Sequence, residues 1–212
     1  GEFVMEEAEI SWIRQTDVAP LLAAFPRLEE FVVRGGSGLE FPATRHGSLR
    51  RLTVQTGGLP RGPVAGITAS DLPALEHLEL WFGVEDYGGT TTVDDLAPLL
   101  AGERFPALRS LGLRNSPWGD DLVRALAGAP VLERVRVLDL SGNVLTDAGG
   151  EVLATAPAFH TLERLVIRYH FLTEAMEERL RAALPGVDLH LSERQEPEVY
   201  KDRTYYYPEV TE

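Results

Sequence analysis

Residues 135–154 read VRVLDLSGNVLTDAGGEVLA, and this stretch decides how the chain folds. Val135, Leu138 and Leu140 stand in the frame L-x-x-L-x-L, with Val, Ile or Phe allowed for Leu. Leu138 and Leu140 are two apart, so on a short strand they point to one face while Asp139 points to the other. The chain then turns and offers a helix-like run, Asp147–Ala154, that can cover the same apolar side. One such unit cannot bury its own apolar face, but stacked neighbours can.

Six more segments carry the frame: Leu28-Phe31-Val33, Leu49-Leu52-Val54, Leu75-Leu78-Leu80, Leu108-Leu111-Leu113, Leu162-Leu165-Ile167 and Leu184-Val187-Leu189. In chain order the seven starts lie 21, 26, 33, 27, 27 and 22 residues apart. Helix-like runs follow or precede them at Asp17–Phe25, Val93–Ala101, Asp120–Ala127 and Thr173–Leu184. In the first run Val18, Leu21, Leu22 and Phe25 step along one helical face, as do Leu96, Leu99 and Leu100, and Leu122 and Leu126. Pro60–Leu72 holds two prolines and two glycines in the corresponding place, which predicts a turn or a short 3₁₀ piece.

On these residues the chain resembles the ribonuclease-inhibitor type of leucine-rich repeat. Leu138, Leu140, Asn143, Leu145, Gly149 and Leu153 fall at that family's consensus places, and weaker likeness runs from about Ile10 to Leu191. The whole is similar to bacterial stand-alone leucine-rich-repeat proteins without an assigned activity, some encoded beside radical-type enzymes and hydrolases. The resemblance implies an α/β fold: a right-handed solenoid with a parallel concave sheet and short helices or turns on the convex side. It also implies an asparagine ladder in the turns, but here the positions read Gly36, Gly57, Gly83, Ser116, Asn143, His170 and Ser192. The other turns must therefore satisfy their backbone groups by different means. Repeat three carries a Gly- and Thr-rich insertion, Phe82–Thr92, and insertions in such arrays often map to the binding face.

Composition narrows the functional classes. With 31 Leu and four Ile among 212 residues, the apolar content is skewed toward the repeat residue. No cysteine is present, which excludes a disulfide scaffold, a Cys nucleophile and Cys-ligated metal. The net charge of -13 argues against general nucleic-acid binding, which needs a cationic surface. No apolar run approaches a membrane span and no signal peptide opens the chain, so a cytoplasmic protein is expected. The basic residues are 19 Arg and one Lys, a bias of the kind GC-rich bacterial genomes produce. Gly1-Glu2-Phe3 looks like a cloning scar, and residues 1–9 are assigned to it and an N-terminal extension. Residues 10–191 form the repeat domain, expected to be N-terminally truncated because Ile10–Ile13 precede a helix with no complete strand before it. Such an uncapped edge is open to self-association. Residues 192–212 form an acidic, Tyr-rich tail.

The third, fifth and seventh positions of each frame should face a partner. They hold five Arg (Arg34, Arg51, Arg114, Arg164, Arg168) against four acids (Glu30, Glu79, Asp139, Asp188). The row Arg34, Gln55, Trp81, Arg114, Ser141, Arg168, His190 combines Arg with an outward Trp, the residues enriched at interface hot spots. The neighbouring row has Gly112 between Glu79 and Asp139, which predicts a shallow pit flanked by acids. Partner-binding candidates are Arg34, Arg51, His77, Glu79, Trp81, Arg114, Asp139, Arg164, Arg168 and His190. The arginines could instead pair with acids on the same face, and Trp81 could pack under the Phe82–Thr92 loop. His77 and Glu79 share a strand face but lack an evident third ligand, so no metal or other cofactor is expected. Glu79 and Asp139 lie two strands apart, about 10 Å, a weak match to paired catalytic carboxylates.

These readings converge on a non-catalytic module that binds a protein or peptide. Two alternatives stand beside it: an accessory protein recognising the substrate of a modification enzyme, and an enzyme using Glu79 and Asp139. The tail, Val199–Tyr207 above all, could lie along the final strand or over the last helix and cap the open end. It could also present tyrosines to a partner as a disordered acidic segment.

Overall fold

The computed structural model describes residues 10–210. Residues 1–9, expected from the sequence to be a scar and extension, and residues 211–212 lie outside the described residues. Seven strands form one parallel sheet: β1 (Glu30–Arg34), β2 (Arg51–Gln55), β3 (His77–Trp81), β4 (Ser110–Arg114), β5 (Val137–Asp139), β6 (Arg164–His170) and β7 (Asp188–Arg194). Their order across the sheet is their order in the chain. α1 (Ala19–Ala24) precedes β1, and between the later strands run α2 (Arg61–Ala69), α3 (Ala97–Leu100), α4 (Gly119–Leu126), α5 (Asp147–Thr155) and α6 (Glu174–Ala183). A separate antiparallel hairpin follows, β8 (Glu198–Tyr200) with β9 (Arg203–Tyr205). No described helix is long and apolar enough to cross a membrane.

Register is set by the frame. Phe31, Leu52, Leu78, Leu111, Leu138, Leu165 and Leu189 stand side by side across the seven strands. The five central leucines of this row are wholly buried, and each contributes about 1.5–3 kcal/mol through its removal from water. A one-residue slip would turn the whole row to solvent. Behind the row, Leu22, Val64, Ile67, Leu99, Leu122, Leu126, Leu153 and Leu180 of the helices close one continuous core.

Three expectations about these elements change. The final strand frame lies two residues later than the spacing predicts. Leu165 pairs with Leu189 and Ile167 with Leu191, so Leu189 and Leu191 are the inward residues of β7. His190 therefore stands beside Val166, and Ser192 beside Arg168. Gly186 falls before the strand, and the residue opposite His170 is Arg194 rather than Ser192. Leu184 and Val187 are buried all the same, which is why the spacing misled.

Second, Pro60–Leu72 is not a turn but holds the nine-residue α2. Pro60 is the extended residue before the helix, and Pro63 lies in its first turn, where a backbone N–H has no intrahelical acceptor to lose. Gly66 is there for space: a Cβ would run into the Phe41 carbonyl. Third, only half of the α1 stripe is inward. Val18 and Leu22 are buried, whereas Leu21 and Phe25 are 49% and 57% exposed. Trp12 and Val32, at the same end of the sheet, are exposed as well.

The turns find different partners, as the broken ladder requires. Asn143 Oδ1 accepts from the Ser116 N–H and hydroxyl, and its Nδ2 donates to the Leu113 and Leu140 carbonyls, all at 2.7–2.8 Å. Thr56 donates to the Trp81 carbonyl at 2.9 Å. His170, fully buried, accepts the Leu172 N–H on Nδ1 at 3.2 Å. The Phe82–Thr92 insertion is tied down rather than free. Phe82 is buried against Trp118, Val84 N–H donates to the Gly57 carbonyl, and the Thr91 hydroxyl donates to the Leu59 carbonyl.

Candidate functional site

β3, β4 and β5 run side by side, so His77, Glu79 and Trp81 stand next to Ser110, Gly112 and Arg114, with Asp139 beyond Gly112. Because alternate residues of a strand share a face, all of these leave the sheet on the side opposite the leucines. The missing side chain at Gly112 does make room, but no pit remains. Glu79 lies across it, with Cγ only 2.9 Å from where a Gly112 Cβ would be.

Glu79 is the hub of this group. Its Oε1 accepts the Trp81 indole N–H at 2.7 Å, and His77 Nε2 lies 3.7 Å from Oε2. The Arg114 guanidinium sits over the Trp81 ring, 4.4 Å from its centroid, and 3.6 Å from Glu79 and 3.7 Å from Asp139. Asp139 also accepts the Ser141 N–H at 2.8 Å, and His77 Nδ1 contacts the Ser110 hydroxyl at 2.9 Å. Trp81 is thus half-buried beneath Arg114, neither fully exposed nor tucked under the insertion. Burial opposes the charge on Glu79, but the nearby His77 side chain, the Trp81 hydrogen bond and the Arg114 guanidinium outweigh it. They hold the carboxyl below the usual carboxylate range.

The tail completes the site, and it does so away from the place expected for it. The β8–β9 hairpin adds no strand to β7. Beyond it the Tyr206 ring packs edge-on against Phe171 at 5.1 Å, and Pro208 is buried. The chain then returns over the ends of β4, β5 and β6. The Glu209 N–H donates to the Gly142 carbonyl at 3.0 Å, and the Glu209 carboxylate contacts Arg168 and lies 3.8 Å from Arg114. Asn115 clasps the next residue with both ends of its amide. Nδ2 donates to the Val210 carbonyl and Oδ1 accepts the Val210 N–H, each at 2.7 Å. Arg168 also pairs with Glu193 at 2.8 Å. Burial works against its charge, but Glu209 and Glu193 outweigh this and push its pKa above the ordinary arginine value.

The ten sequence candidates therefore divide. His77, Glu79, Trp81, Arg114 and Asp139 form one network, and Arg168 joins it through Glu209. Arg164 and His190 pair instead with Asp188, at 2.7 and 3.0 Å, near the β7 edge. Arg34 and Arg51 lie on β1 and β2, apart from the network. Sequence reasoning missed Asn115, Gly142, Glu193 and Glu209. With Glu193 and Glu209 on this face, the expected one-charge cationic excess becomes a one-charge anionic one. Asn115 did carry a signal, since Asn tolerates the left-handed turn it adopts at φ 57°. Among the described residues no group of three or more His, Asp or Glu is placed to hold a metal ion.

No protein-family model matches the chain, and no curated protein is significantly similar to it. Among solved structures it is similar to a Bacteroides fragilis protein determined as a structural-genomics target. The two share 31% identity with a TM-score of 0.84 over 98% of this chain. The chain spans 57% of that protein's length. The likeness supports the α/β architecture with its parallel sheet.

Proposed function

We propose that the chain is a leucine-rich-repeat solenoid that binds a protein or peptide partner through the open face of its sheet, without catalysis. Sequential parallel strands, regular frames and the Asn143 turn support the repeat reading. One observation carries the binding reading. Beside Arg114, which lies over Trp81, the face already holds a segment of its own chain, gripped by the Glu209 carboxylate and the Val210 backbone. Arginine beside a half-buried tryptophan is the composition of interface hot spots. The face is open, and a depressed Glu79 points away from the raised carboxyl that a general acid needs. The catalytic alternative through Glu79 and Asp139 therefore gains no support.

The test is capture from native lysate by the full chain and by a Trp81→Ala/Arg114→Ala variant, read by mass spectrometry. The variant should lose the proteins that the parent holds. An unchanged set would sink the assignment of this face. Stoichiometric co-purification of one enzyme would favour the accessory role over general scaffolding.

A further inference from the structure

We propose that Arg114, Arg168, Asn115 and Gly142 form a receptor for a peptide segment with Glu followed by a residue held through its backbone, and that Glu209-Val210 is an internal copy of that ligand. An incoming partner segment would have to displace the tail. The inference rests on the binding role proposed for this face.

Each part of the seat recognises a different feature. Arg114 and Arg168 come from β4 and β6 and converge on one carboxylate. Asn115 satisfies both backbone groups of Val210, so it reads main chain without regard to side chain. The Gly142 carbonyl takes the Glu209 N–H, and a Cβ on Gly142 would come within 2.9 Å of Glu209 Oε2. Two groups in the seat are left over. Arg114 Nε and Glu209 Oε2 are buried without a hydrogen-bond partner. At 3.8 Å the Arg114–Glu209 pair is a loose fit, and burial makes such unmade bonds costly. A ligand that reaches Arg114 Nε would bind better than the tail does, which is the property an internal, displaceable copy needs.

A tethered segment acts at an effective concentration of order millimolar, so a free peptide with a Kd of about 100 µM would be suppressed about tenfold. The experiment uses a fluorescein-labelled synthetic peptide with the sequence of residues 203–210 and follows its anisotropy. It is titrated with the full chain and with full-length Glu209→Arg, whose new cation is repelled by Arg114 and Arg168. The variant should bind at least tenfold more tightly than the parent. A peptide with Gln for its glutamate should lose at least tenfold, and adding Asn115→Ala to the variant should abolish binding. If circular dichroism shows that Glu209→Arg does not fold, full-length Glu209→Gln serves the same comparison. A folded variant that binds no peptide, or binds it no better than the parent, overturns the proposal. If lysate capture still depends on Trp81 and Arg114 in that case, the binding face stands and only the internal-ligand reading falls. Loss of both removes both.

Discussion

Asn143 and His170 occupy equivalent places in successive turns but solve the backbone problem differently. Asn143 makes four short bonds and leaves nothing over. His170 accepts one bond on Nδ1, so its neutral ring carries the proton on Nε2, and that atom is buried without a partner. Burial is the main force on this group and pushes the imidazole below its ordinary 6.5; Arg194 and Arg181 add to it and Glu177 opposes it. The sign follows from linkage. The unfolded chain takes up a proton at higher pH than the folded one, so stability is complete above about 6.5 and is lost as pH falls toward the depressed value. The urea midpoint should therefore drop between pH 7.5 and 5.5, and His170→Asn should flatten that drop. An identical slope in the variant would assign the dependence to other groups.

Between the residues and the whole lie the helices, and here glycine has two meanings. Gly66 and Gly62 both sit in α2, where alanine normally gains about 1 kcal/mol by helix propensity. Nothing lies within 4 Å of a Cβ added at Gly62, whereas at Gly66 it meets the Phe41 backbone. Gly62→Ala should raise the urea midpoint, and Gly66→Ala should lower it, with a loss of stability of about 1–3 kcal/mol, the usual cost of overpacking. Equal effects would mean that α2 moves freely off the Phe41 segment. The same scale holds a brace that the frame does not announce. Asp120 at the start of α4 takes the Thr146 N–H and hydroxyl and the Gly149 N–H. Asp147 at the start of α5 takes the Thr173 N–H and hydroxyl. Each helix thus fixes the cap of the next, because Thr146 and Thr173 are the residues that cap α5 and α6.

For the molecule as a whole, the tail is what joins distant parts. Val210 reaches back 95 residues to Asn115, and Glu209 ties β4 to β6. Hydrogen exchange reports this directly. The Val210 amide should exchange slowly in the parent, and Asn115→Ala should speed it at least tenfold while the central β-strand amides stay protected. Fast exchange at Val210 in the parent would show that the tail does not hold its seat in solution.

Much of the fold was legible because its period is local. The frame alone places six of the seven strands in register, since two-residue alternation decides which side chains face the core. The seventh slipped because Leu184 and Val187 are buried at the same spacing in the turn before it. α2 was obscured because proline and glycine are counted against a helix unless their positions in its first turn and against a neighbour are known. The frame also placed His77, Glu79, Trp81, Arg114 and Asp139 together on one face. By itself, then, the sequence determined the parallel sheet and which residues face out from it. Only the tertiary structure decided what those residues meet. Glu79 fills the space at Gly112, and Glu209 returns from the tail to the arginines, because contacts between segments this far apart depend on the path of the chain and leave no periodic trace in the residues themselves.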